Sequence, residues 1–223
     1  MSTDPAIQVH DLTYAYPRGP TALERVSFAV AAGAGVGLIG PNGAGKTSLF
    51  LCLSGVIAPQ AGSVRVGGLD VRDPAQRKRL PTQVGIVFQN SDDQLFNATV
   101  FDDVAFGPLN MGLAPDEVRR RVAEALGRVG MAGHEARTPF HLSGGEKRRV
   151  ALAGVLAMRP EVLLLDEPSM FLDPRGRRGL LKLLDEIGGT RLIADGPTCE
   201  LLSDTALMEA HGLEVPYSLR GGG

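Results

Sequence analysis

Apolar and polar residues alternate along Ile7-Gln8-Val9, Leu12-Thr13-Tyr14-Ala15-Tyr16 and Val26-Ser27-Phe28-Ala29-Val30, the period-two pattern of half-buried strands. Pro17-Arg18-Gly19-Pro20 between them reads as a turn. The chain then changes character. Val36-Gly37-Leu38-Ile39, Val84-Gly85-Ile86-Val87-Phe88 and Val162-Leu163-Leu164-Leu165 are short, wholly apolar runs, as expected of strands covered on both faces. A short β-unit is expected over Gly62–Gly68, and a further strand over Arg191-Leu192-Ile193-Ala194. Helical spacing appears between these runs. Val118, Val122, Ala125, Leu126 and Val129 recur on one face after the start signal Ala114-Pro115-Asp116-Glu117. Helices are also expected from about 46 to 55, 144 to 158 and 174 to 187, and a less regular helical stretch from about 90 to 140. Arg119, Arg120 and Arg121 read as a solvated helix face. Strands alternating with helices predict an α/β fold with a mostly parallel core sheet, preceded by an antiparallel β-rich segment.

The most informative junction comes after the run at 36–39. Gly40-Pro41-Asn42-Gly43-Ala44-Gly45-Lys46-Thr47-Ser48 is a glycine-rich turn between an expected strand and an expected helix. Glycines let backbone N–H groups curl around phosphate oxygens, and the helix N-terminus faces the same anion. Lys46 is expected to reach the β- and γ-phosphates and Thr47 to hold Mg2+. The chain is therefore expected to bind a nucleoside triphosphate.

Bulk properties narrow the setting. The 223 residues suit one domain, or one domain with a small appended lobe, and a formal net charge of −2 gives no reason to expect nucleic acid or an anionic membrane as a bulk electrostatic partner. No apolar run reaches the length of a membrane span, and the N-terminus lacks the pattern of a signal peptide. Cys52 and Cys199 are far apart, with Cys52 expected in the core, so no disulfide framework is expected and a reducing cytoplasm is the default.

Two further motifs carry chemistry. The run 162–165 ends in Asp166-Glu167-Pro168. An Asp at a strand end beside a phosphate loop can hold Mg2+, and the adjacent Glu167 can polarise an attacking water. Leu142-Ser143-Gly144-Gly145-Glu146-Lys147-Arg148-Arg149 joins an N-cap serine to a glycine pair at a helix start, a second anion site. With this motif just ahead of the acidic strand, the chain resembles the ATP-binding cassette (ABC) ATPases along most of its length, a P-loop NTPase fold with an antiparallel β subdomain and a helical subdomain.

The resemblance implies several roles. Tyr16 matches the aromatic that stacks on adenine. Gln89 matches the glutamine that contacts Mg2+ and the attacking water and couples to the membrane partner. Leu142, Ser143, Gly144, Gly145 and Glu146 match the motif that closes on ATP held by a second subunit, and Leu172 and Asp173 match the loop that crosses to that subunit. A working dimer is implied, of identical chains or of two related ones. ATP and Mg2+ are the implied ligands, with Thr47, Gln89 and Asp166 serving the metal and Glu167 with Gln89 serving catalysis. A single ABC domain over 1–223 is expected, with the helical subdomain at about 90–160.

The stretch Gln89-Asn90-Ser91-Asp92-Asp93-Gln94-Leu95-Phe96, with Asp103-Val104-Ala105-Phe106-Gly107-Pro108 after it, is similar to the ATPase subunits of energy-coupling-factor importers. The ending Met208–Pro216 is similar to the cobalt-type members. This resemblance implies a subunit at the cytoplasmic face of the membrane that energises import of cobalt or a related transition metal ion. A transmembrane coupling subunit and a substrate-binding membrane component would be its partners. Two alternatives stand beside it: an ATP-binding module that dimerises but hydrolyses little, and a soluble ABC protein outside transport.

The first alternative arises from a departure. The family carries a histidine that contacts the γ-phosphate at the end of the strand after the Asp173 loop. Here Arg191-Leu192-Ile193-Ala194 runs into Asp195-Gly196-Pro197-Thr198 without one, and only His211 comes after Asp173. The region from about 195 resembles the family's segment beyond its final hairpin, so a helix and a strand are expected to be missing before it. A smaller departure is Ser169-Met170-Phe171, bulky where the family is usually small.

Overall fold

The structure is a computed structural model, and it describes residues 5–38, 43–168 and 174–187. Strands β1 (Ile7–Ala15) and β2 (Thr21–Val30) form a hairpin over the expected turn. Two of the three alternating segments merge into β1. A bulge at Asp11, with φ +46°, shifts the phase so that Ile7, Val9 and Leu12 all face inward. The Asp11 amide, freed by the bulge, donates to Ser27 Oγ at 2.8 Å. Strand β3 (Ala61–Val66) pairs with the other edge of β1, and β4 (Leu69–Asp70) pairs with β3. The result is an antiparallel sheet of order β2-β1-β3-β4.

Helix α1 (Lys46–Leu53) begins at the phosphate loop and ends before Val56, which lies on the surface. A short helix α2 (Pro74–Arg77) is capped by Asp73. Strand β5 (Val84–Val87) pairs in parallel with β6 (Val162–Leu165). Between them in sequence lie α3 (Val100–Asn110), α4 (Pro115–Arg128) and α5 (Gly144–Met158). Helix α6 (Pro174–Ile187) comes last among the described residues.

Two apolar cores result. One joins the antiparallel sheet to α1, with Leu12, Leu49, Cys52 and Val64 at its centre. The other lies among α3, α4, α5 and α6, around Val104, Leu126, Leu152 and Leu184. The β5–β6 pair lies between them. Alternation sends Val162 and Leu164 into the first core, while Leu163 and Leu165 pack on the second. Helix α5 lies close on β5: a Cβ at Gly85 would meet Val155 Cγ1 at 2.2 Å.

The expected sheet is corrected in one respect. Among the described residues its parallel part is β5–β6 alone, and 34–38 form no strand. Val36 is 65% exposed and Leu38 is exposed as well. An apolar run becomes a buried strand only when a neighbour offers backbone partners, and none of the described strands pairs with this one. The expected strand 191–194, the missing histidine and the bulky triplet 169–171 lie outside the described residues.

Candidate nucleotide site

Parallel pairing of β5 with β6 builds the floor of the site. Val87 is in register with Leu165, and the Asp166 amide continues the ladder onto the Val87 carbonyl at 2.9 Å. The next residues on each strand, Phe88-Gln89 and Asp166-Glu167, therefore leave the sheet side by side. They do so at the carboxyl ends of parallel strands, where open α/β sheets form their crevices.

Helix α1 brings the phosphate loop to the same place. Its N-cap, Gly45, has φ +87°, and a Cβ there would lie 2.4 Å from the Ala22 carbonyl oxygen. Only glycine lets the loop pass so close to β2. Thr47 Oγ1 donates to Asp166 Oδ2 at 2.7 Å, joining loop to strand end. Asp166 is buried. A hydroxyl beside a buried carboxylate is a hard-oxygen pair, the donor set Mg2+ takes alongside substrate phosphates. Among the described residues no group of three or more His, Cys, Asp or Glu is placed to hold a metal ion. The donors present thus fit a metal shared with phosphates rather than a protein-only cage.

Gln89 and Glu167 meet directly, Gln89 Nε2 donating to Glu167 Oε2 at 2.9 Å. Glu167 holds φ +47°, a left-handed backbone that is costly for a residue with a long side chain. Tyr16 lies just beyond β1 with its ring half open to solvent. Its hydroxyl is 3.1 Å from Ser48 Oγ on α1, and Tyr14 packs edge-on at 5.1 Å. The expected residues Gly43, Ala44, Gly45, Lys46, Thr47 and Ser48 are thus gathered with Tyr16, Gln89, Asp166 and Glu167. Gly40, Pro41, Asn42, Leu172 and Asp173 lie outside the described residues.

The second anion motif opens α5. Ser143 Oγ accepts from the Glu146 amide at 3.3 Å, and Glu146 Oε2 accepts from the Ser143 amide at 2.8 Å. This capping box leaves the exposed Gly144 at the surface with no neighbour among the described residues where a Cβ would stand. The Ser143 hydroxyl, then the Ser143 amide, then Arg137 hold the Glu146 carboxyl below its ordinary range. Leu142 is buried beneath the turn.

Three contacts were not foreseeable from the motifs. Arg148, 5% exposed, donates through one guanidinium nitrogen to the Glu167 carbonyl at 2.6 Å and through the other to the Gln89 carbonyl. Lys147 Nζ reaches Asp92 Oδ1 at 2.6 Å. Buried Asp103 accepts from the amides of Phe96 and Asn97 at 3.1 and 3.0 Å, tying the segment after Gln89 to α3. Arg148 shares a helix face with buried Leu152 and Val155, and that charge on an apolar face was the available signal.

The ABC transporter family matches residues 23–170 of this chain. The energy-coupling factor transporter ATP-binding protein EcfA of Methanothermobacter thermautotrophicus is 49% identical over 203 residues, covering 90% of this chain and 65% of EcfA. The chain therefore spans less than two thirds of that relative's length. The solved structure of cbiO1 from Clostridium perfringens, part of the ABC transporter complex cbiONQ, is similar with a TM-score of 0.74 at 40% identity. That likeness covers 82% of this chain and 74% of cbiO1. The ATP-binding cassette MJ0796, solved as a dimer in a post-hydrolysis state with ADP and Pi, gives the same TM-score at 25% identity, covering 82% and 85%. The family match spans the loop, the strand ends and the capped glycine turn, and the chain belongs to the ABC transporter family.

Proposed function

We propose that this chain is the ATP-hydrolysing motor of a membrane importer of the energy-coupling-factor type. The observation that carries the reading is the meeting of Thr47 with Asp166 and of Gln89 with Glu167 at one set of strand ends. In this reading the loop amides from Gly40 to Ser48 and the Lys46 ammonium hold the β- and γ-phosphates, and Tyr16 stacks on adenine. Thr47, Asp166 and Gln89 hold Mg2+, which when bound neutralises charge building on the phosphates. Glu167 orients the attacking water and accepts its proton, and Gln89 keeps that carboxylate aimed. Leu142 to Glu146 serve ATP held by a second subunit, with Leu172 and Asp173 crossing between the two. The dimeric MJ0796 cassette supports that arrangement. One domain over 1–223, with a helical subdomain at about 90–160, completes the description.

The membrane side is supported by a patch on α3. Phe106 is 49% exposed and Phe96 59% exposed, their rings 5.0 Å apart and edge to face, with exposed Leu109 one turn on. Such a patch beside the Gln89 segment suits an apolar helix of a transmembrane partner. No helix among the described residues is long and apolar enough to cross a membrane, which fits a subunit held peripherally at the cytoplasmic face. The names of EcfA and cbiO1 favour the energy-coupling-factor branch, and the likeness to cbiO1, with the ending Met208–Pro216, favours cobalt or a related transition metal ion as cargo.

Steady-state Mg-ATP hydrolysis, with and without a membrane partner and against Lys46→Ala, tests the reading. Turnover that rises with the partner and vanishes in Lys46→Ala is expected. ATP binding without turnover under both conditions would overturn the motor role and leave a dimerising ATP-binding module.

A further inference from the structure

The guanidinium of Arg148 touches the backbone of both residues assigned to the attacking water. It bridges the Glu167 carbonyl, at 2.6 Å, and the Gln89 carbonyl. Those carbonyls belong to residues at the ends of different strands, separated by the whole helical segment in sequence. A planar guanidinium can serve two acceptors in a fixed fork, which a lysine ammonium cannot do with the same geometry. The bond to Glu167 also falls on the residue whose backbone is held at φ +47°.

Arg148 stands on α5 one turn beyond the exposed Gly144, a rise of about 6 Å along the helix. Its neighbour Lys147 grips Asp92 in the segment after Gln89. The helix that opens with Ser143-Gly144-Gly145 is thus fastened to both strand ends of its own subunit's site.

We propose that Arg148 is a positioning residue: it sets the spacing and aim of Gln89 and Glu167 and fastens them to the helix that carries Ser143-Gly144-Gly145. This rests on the nucleotide site proposed above. Arg148 is not among the groups assigned to phosphate, so its loss leaves the phosphate seat intact and misplaces the pair that handles water, Gln89's place at the metal moving with it. Misplacement on the order of 1 Å costs about 100-fold in rate.

The test uses the full chain as parent, Arg148→Gln and Arg148→Lys. Fluorescent-ATP titration, kcat and KM for Mg-ATP, unfolding midpoint, and amide exchange at Glu167 with and without ATP are measured. The expected result for Arg148→Gln is at least a tenfold fall in kcat with ATP affinity and KM within about twofold, and ATP-dependent protection at Glu167 lost. Arg148→Lys, which keeps the charge and one bond, should fall between the two. Unchanged kcat overturns the proposal, as does a fall in kcat matched by losses of affinity and unfolding midpoint, the mark of a merely structural role. A parent that binds no ATP would sink the site reading before any variant is made. A parent that binds without turnover leaves the exchange measurement to decide: protection at Glu167 retained in Arg148→Gln overturns the positioning role.

Discussion

Gly45→Ala tests how tightly the phosphate loop is threaded past β2. The backbone at Gly45 has φ +87°, where an L-residue costs about 1–2 kcal/mol. The new Cβ would stand 2.4 Å from the Ala22 carbonyl oxygen and 3.0 Å from Leu23 Cδ2. The first is a backbone atom of a strand paired with β1, so it cannot rotate away, and overpacking of this sort costs about 1–3 kcal/mol. The expected loss is about 2–5 kcal/mol in all. Gly43 and Gly133 supply the controls. Both have φ +82° with nothing among the described residues within 4 Å of a Cβ, so alanine there should cost only the backbone term. Urea unfolding of the three variants without nucleotide keeps phosphate contacts out of the comparison. If Gly45→Ala unfolds with the same free energy as the two controls, the close passage past Ala22 does not constrain the loop and the reasoning is wrong.

Two further outcomes are expected. Hydrogen bonds from Arg120, then Arg121, hold the Glu117 carboxyl down at about 2 against its ordinary 4.5. Its stabilising share is therefore whole above pH 4.5 and lost as pH falls through about 2. Glu117→Gln should flatten the pH dependence of urea unfolding across that window, and equal slopes for parent and variant would refute it. Separately, Phe106→Ser should leave ATP affinity unchanged while weakening co-purification with the proposed membrane partner, and full retention of that partner would remove α3 as the docking face.

The helices with strong end signals were legible. The Ser143 N-cap with its glycine pair, Pro115 with its acids, and Pro174 marked the starts of α5, α4 and α6 because local chemistry alone satisfies a helix end. The strand ending in Asp166-Glu167 was legible for a different reason: four apolar residues and then acids leave little choice of burial. The run at 36–38 misled because apolarity predicts burial without naming the neighbour that must supply it. Neighbouring basic residues can have different fates. Lys147, Arg148 and Arg149 look alike in sequence, yet successive helix positions turn by about 100°. One reaches Asp92, the next is buried against two strand ends, and Arg149 stays at the surface beside the Gly145 carbonyl. Arg121 departs from the solvated face in the same way, reaching the carbonyls of Ala157 and Met158 at 3.4 Å.

The pairing of Val84 with Val162 also sets an order of events on the ribosome. Strand β5 is synthesised before α3, α4 and α5, and its parallel partner only after them. At about 5–20 residues per second, β6 trails β5 by roughly 4–16 s, far longer than helices take to form. In that interval most of the helical core can close on itself, and the antiparallel sheet can form from strands already made. Asp166 and Glu167 then arrive into a frame in which the helical core still awaits α6. The nascent chain thus acquires the carboxylates proposed for metal and water well after the loop proposed to hold phosphate.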